Sequence, residues 1–122
     1  MRHRSVVLRV GAALVSGALL AACGGGDQGS AYACDNSSLE SRCFDYWSDA
    51  TKSDVSASCD GAVIEGPCPR AQAVGTCSLI GENGPSQGKT FIAIYYADGP
   101  MPWTAEGAEA NCDASGGTFA AP

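Results

Sequence analysis

Histidine is nearly absent from this chain: one of the 122 residues is a histidine, His3, and it lies at the very start. Without an imidazole to activate a serine or cysteine, the common nucleophilic arrangements are missing. Zinc loses its usual nitrogen ligand as well, and no two cysteines have the two-residue spacing of a zinc knuckle. Positive charge is also scarce. Past Arg9 the bases are Arg42, Lys52, Arg70 and Lys89, against thirteen acids, which leaves residues 23–122 at a formal −9. Such a surface repels phosphate backbones, so nucleic acid is excluded as a partner. It also matches anionic headgroups poorly. No apolar run reaches the roughly 20 residues that a membrane-crossing helix needs; residues 10–22 make a run of thirteen.

What stands at the start is a leader. Arg2, Arg4 and Arg9 precede the short apolar run, which is interrupted only by small residues such as Gly11, Ser16 and Gly17. A basic start, a short apolar stretch and then small residues make a secretory signal peptide. The run closes in Leu20-Ala21-Ala22-Cys23. Here the chain resembles bacterial lipoproteins, whose lipobox is a branched apolar residue, two small residues and a cysteine. The resemblance covers about the first 26 residues. It implies a diacylglycerol on the Cys23 thiol, cleavage of residues 1–22 by signal peptidase II, and acylation of the freed amine by a fatty acid such as palmitate. Two or more acyl chains would anchor the protein stably. Residues 23–30 then read as a lipidated cysteine and a flexible tether with nothing apolar to bury. Among lipoproteins an aspartate after the cysteine favours the inner membrane; Gly24 stands there, so the resemblance implies the outer membrane.

Residues 31–122 are expected to form one small domain. With Cys23 assigned to lipid, six cysteines remain: Cys34, Cys43, Cys59, Cys68, Cys77 and Cys112. An even number in a small exported domain implies three disulfides. No metal and no cofactor other than the covalent lipid is expected.

The expected fold class is α+β. Cys43-Phe44-Asp45-Tyr46-Trp47 reads as a strand from its aromatic content. Thr51 and Asp54 have capping-box spacing, so a short helix should run to about Cys59, with Val55 and Cys59 on its buried face. Short strands are expected at residues 62–64, 75–80 and 117–119. Residues 91–96 are apolar on both alternating faces, which places that strand centrally in the sheet. Thr104 should cap a second helix to about Asn111.

Two stretches look alike. Tyr46-Trp47, a capped helix, Cys59-Asp60, Gly61 and a strand ending at Gly66-Pro67 are matched by Tyr95-Tyr96, a capped helix, Cys112-Asp113, Gly116-Gly117 and a strand ending at Ala121-Pro122. We read them as two degenerate β-α-β units around one short antiparallel or mixed sheet. Each unit is preceded by a cysteine, Cys34 or Cys77. If the units fold alike, Cys34 should bond Cys59 and Cys77 should bond Cys112, leaving Cys43–Cys68.

Candidate sites are few. Residues 84–90 suggest a phosphate-binding loop, but Asn83 stands where that motif requires glycine, and a strand follows instead of a helix. Asn36-Ser37-Ser38 fits a glycosylation acceptor, in a chain whose leader is bacterial. Asp45, Asp49 and Asp54 lack the alternation of a calcium loop. Tyr46, Trp47, Tyr96 and Trp103 would serve either as core or as the floor of a groove. The expectation is therefore a non-enzymatic, lipid-anchored envelope protein, held to the membrane by its acyl chains, that binds an envelope partner or serves a structural role. The alternative is a disulfide-rich inhibitor presenting residues 81–89 to a hydrolase.

Overall fold

A computed structural model describes residues 29–122. The expected leader, the expected lipid-attachment residue Cys23 and most of the expected tether lie outside them. Ser30, expected to end the tether, is already buried. The chain then forms β1 (Tyr32–Asn36), α1 (Ser37–Glu40), β2 (Arg42–Asp45), α2 (Lys52–Ser58), β3 (Ala62–Glu65), β4 (Ala73–Ile80), β5 (Thr90–Tyr96), α3 (Ala105–Ala114) and β6 (Thr118–Ala120). The six strands make one sheet in the order β3-β1-β2-β5-β4-β6, with every neighbouring pair antiparallel. The fold is α+β. No helix among the described residues is long and apolar enough to cross a membrane.

β5 owes its central place to its composition. Ile92, Ile94 and Tyr96 pack into the core on one face, while Phe91, Ala93 and Tyr95 pack into clusters on the other. β1 was not legible as a strand: Asp35 and Asn36 disfavour extended structure, and its pairing to β2 and β3 overrides that preference. The short α1 that follows was missed for the same reason. β2 ends at Asp45, before the Tyr46-Trp47 that sequence reasoning gave it. α3 runs three residues past Asn111, to Ala114.

The repeat is present in three dimensions, and each unit has one strand more than expected: β1-β2-α2-β3 and β4-β5-α3-β6. In the first unit Cys34 pairs with Phe44 on one side and Val63 on the other. In the second, Cys77 pairs with Ala93 and Phe119. The units meet along β2 and β5, where Cys43 pairs with Ile94, Phe44 with Ala93, and Asp45 with Ile92. That register is its own image under a two-fold rotation through Phe44 and Ala93. One cross-strand row, Val63-Cys34-Phe44-Ala93-Cys77-Phe119, therefore spans the whole sheet.

The helices obey the same symmetry. Thr51 caps α2 by accepting from the Asp54 amide at 3.1 Å, and Asp54 accepts in return from the Thr51 amide at 2.9 Å. Thr104 caps α3 by accepting from the Gly107 amide at 3.0 Å. Four residues after each cap, Val55 and Ala108 are fully buried. Burying the valine side chain stabilises the fold by about 1.5–3 kcal/mol. Gly61 and Gly117, which open the last strand of each unit, touch equivalent backbone: a Cβ on Gly61 would collide with the Asp35 carbonyl oxygen, and one on Gly117 would come within 2.8 Å of that of Ser78.

The bridges are Cys34–Cys59, Cys43–Cys68 and Cys77–Cys112, with Cα separations of 5.5, 5.9 and 5.6 Å. This is the pairing that the repeat implies. Each bridge contributes about 2–4 kcal/mol in the chain-entropy account. Two of them tie a helix end to the sheet within its own unit. Cys43–Cys68 has no counterpart, because Ile92 occupies the position of Cys43 in the second unit. It fastens the connector between the units over the face opposite the helices. There the fully buried Asp45 accepts from the Cys68 amide at 2.6 Å and from Arg70 at 2.7 Å. Tyr96 donates its hydroxyl to the Pro69 carbonyl at 2.7 Å.

Candidate functional site

Both helices cover the same face of the sheet, α2 over one half and α3 over the other, and a cleft of about 430 Å³ is left beside the two-fold axis. Phe44 lies in it, at the axis itself. Asn36, Glu40, Arg42 and Asp60 stand on one side of Phe44, and Leu79 and Phe91 on the other. Past Tyr46 and Phe91 it adjoins a second cavity of about 290 Å³, between α2 and the turn at Asn83–Ser86.

Arg42 is the hub of the polar side. Its Nη2 donates to Glu40 at 2.6 Å and its Nη1 to Asn111 on α3 at 3.4 Å. The guanidinium also lies 5.3 Å from the Phe44 ring centroid, 5.7 Å from Trp103 and 5.9 Å from Tyr95, within cation–π range of all three. Its Nε–H is buried with no acceptor among the described residues, a cost that the Glu40 pair and the rings must offset. Glu40 is held from three directions: Arg42, the Asn36 side-chain amide at 3.1 Å, and through its carbonyl the Trp103 indole at 3.1 Å. Burial opposes the Glu40 charge, but the hydrogen bonds from Arg42 and Asn36 and the Arg42 charge outweigh it, so the carboxyl titrates below its ordinary range. Tyr95 donates to Asn111 at 2.8 Å, and burial, only partly countered by Arg42, raises its phenol.

The apolar side is a ring cluster. Tyr46 and Phe91 meet edge to face with centroids 4.9 Å apart, and Trp47 and Phe91 at 5.5 Å. The Tyr46 hydroxyl shares a hydrogen bond with Ser58 at the end of α2.

The residues singled out from sequence distribute differently. Tyr46, Trp47 and Tyr96 are buried; the first two pack beneath α2 and Tyr96 lies on the opposite face, so no common aromatic floor exists. Trp103 joins Tyr95 and Arg42 instead. Asp45 serves the connector, Asp54 caps a helix, and Asp49 is exposed; no group of three or more potential metal ligands occurs among the described residues. Asn36 is buried with its amide given to Glu40, so it presents no glycan acceptor. Residues 81–89 form a closed turn, with the Gly81 amide on the Lys89 carbonyl and the Gly88 amide on that of Gly81. The cleft itself was missed. Its polar residues, Asn36, Glu40, Arg42 and Asp60, come from four different elements or joints, and their convergence depends on strand register.

Comparison with known proteins gives no match: no protein family, no curated protein and no solved structure resembles the chain significantly. The class defined by the fold is a three-disulfide α+β domain built from two ββαβ units.

Proposed function

We propose that this is an exported lipoprotein, anchored to the outer membrane through acyl chains on Cys23, whose domain binds a ligand non-enzymatically in the cleft beside α2. The observation that carries the binding reading is the cleft itself: a concavity of about 430 Å³ with convergent polar groups on one side and rings on the other. Three disulfides in so small a domain accord with an oxidising compartment outside the cytoplasm. The non-enzymatic part of the reading rests on the cleft's chemistry. Glu40 is paired with Arg42, which lowers its pKa and favours the carboxylate, and no imidazole lies beside Ser58 among the described residues to act as base.

The inhibitor alternative has less to support it, because residues 81–89 fold back on themselves and do not present an extended backbone to a protease. The test is site-specific photocrosslinking in intact cells from Ser58, at the cleft rim, and from Glu65, on the outer strand β3. Adducts specific to Ser58 are expected. Identical patterns from both positions, or adducts from residues 81–89 alone, would remove the cleft from consideration.

A further inference from the structure

The two sides of the cleft differ at the positions that the fold makes equivalent. Asn36 pairs with Arg42 between β1 and β2, and Leu79 pairs with Phe91 between β4 and β5. The two-fold relation places Asn36 on Leu79 and Arg42 on Phe91. The same backbone thus carries a polar pair at one end of the cleft and an apolar pair at the other. Both pairs line the cavity, with Phe44 between them. The polar pair is the departure from the repeat: Asn36 and Arg42 hold Glu40 at this end, and they make it the polar wall of the cleft.

Charge sets the kind of polar group that the cleft receives. Glu40 and Arg42 neutralise each other at 2.6 Å. Asp60 also lines the cleft, is exposed, and has no ion-pair partner among the described residues. It follows Ser58 at the end of α2 and adjoins Gly61, which lies against the Asn36 side-chain oxygen. The polar end therefore keeps one uncompensated negative charge. The Arg42 charge is already compensated by Glu40, its Nη1 donates to Asn111, and three rings surround it, so an anion gains no net positive charge there.

We infer that the cleft binds a cationic amphiphile, with its ammonium group against Asp60 and Asn36 and its apolar chain or ring along Phe44, Leu79 and Phe91. This deepens the binding reading above and rests on it. A volume near 430 Å³ suits a small molecule or one arm of a larger one. A longer chain would continue past Tyr46 into the adjoining cavity beneath Trp47, where rings again line the wall.

The sheet, helices and bridges described all lie within residues 30–122, so that stretch contains its own core and is the protein to test. Its amide resonances would be followed during titration with octylammonium, octyl sulfate and octyl glucoside, each below its micellar concentration. Octylammonium should bind most tightly and shift Phe44, Asp60, Leu79 and Phe91. Asp60→Asn should weaken octylammonium by about two- to fivefold, the range for an exposed ion pair, and leave octyl glucoside unchanged. Leu79→Asn, which makes the apolar end resemble the polar one, should weaken both; unperturbed resonances elsewhere would show that the variant folds. Octyl sulfate binding the cleft as tightly as octylammonium would overturn the ligand class while sparing the cleft. An Asp60→Asn protein with unchanged octylammonium affinity would overturn it equally. If no probe shifts the cleft residues, both this inference and the binding reading fall.

Discussion

Phe44 and Ala93 face each other across the middle of the sheet, and they are the same residue of the repeat. A side chain and its own counterpart meet on a two-fold axis only when two units are joined back to back. The difference in size between them helps to shape the site: phenylalanine fills the axis from one side, and alanine leaves room on the other.

If Gly61 and Gly117 are equivalent, they should fail alike. Gly61→Ala and Gly117→Ala each put a methyl group onto packed neighbours, the Asp35 carbonyl in one case and the Cys77 sulfur and Leu79 in the other. Each should lower unfolding stability by about 1–3 kcal/mol in urea. Gly66→Ala is a useful contrast. It has φ +81° but open space around it, so it should lose only the left-handed backbone cost of about 1–2 kcal/mol. Full tolerance at Gly117 alone would break the equivalence.

Removing the unpaired bridge should loosen one place. In Cys43→Ala/Cys68→Ala the connector loses its staple, and stability should fall by about 3 kcal/mol. Trypsin should then cut after Arg70 much faster than in the parent. Mass mapping should still find Cys34–Cys59 and Cys77–Cys112. Scrambled pairing would show that the third bridge directs the other two.

Alkali should act partly through Tyr96. Burial, followed by the nearby carboxylates led by Asp35, pushes this phenol up to about 12, despite the opposing Arg70. A folded pKa above the unfolded one means stability that is complete below the ordinary tyrosine pKa of about 10 and lost as pH rises towards 12. Urea midpoints measured across that window should fall. Tyr96→Phe should be less stable at neutral pH by about 1 kcal/mol, having lost the bond to Pro69, yet decline less steeply above pH 10. Parallel curves for the two proteins would show that another group controls the alkaline limb.

Lipidation is tested at one atom. Cys23→Ser should abolish incorporation of labelled fatty acid and shift the protein out of the detergent phase. Label retained on the serine form would contradict the lipobox reading.

Much of the fold was legible because its signals are local. The Thr51–Asp54 capping pair, the apolar run of β5 and the spacing of Cys59 and Cys112 after their caps each lie within one element. The repeat then selected the bridges, since equivalent cysteines had to find equivalent partners. β1 and α1 escaped because Asp35, Asn36 and the serines at 37 and 38 carry loop preferences that pairing on both edges overrides. The cleft escaped for a related reason. Nothing near Arg42 in the chain announces Trp103 or Asn111, which reach it only after β2 and β5 have aligned. The departure from symmetry at Asn36 and Arg42 becomes visible only once that register is known.

No bridge among the described residues crosses the axis. Cys34–Cys59 remains in the first unit, Cys77–Cys112 in the second, and Cys43–Cys68 returns the connector to the first. The two units meet as the subunits of an isologous dimer do, through one strand pair and a shared core, with residues 69–72 as their sole covalent link. A nick in those four residues would turn one molecule into two fragments, the first looped by two bridges and the second by one. Their union would then depend on concentration, and their separation would be an ordinary dissociation instead of an unfolding.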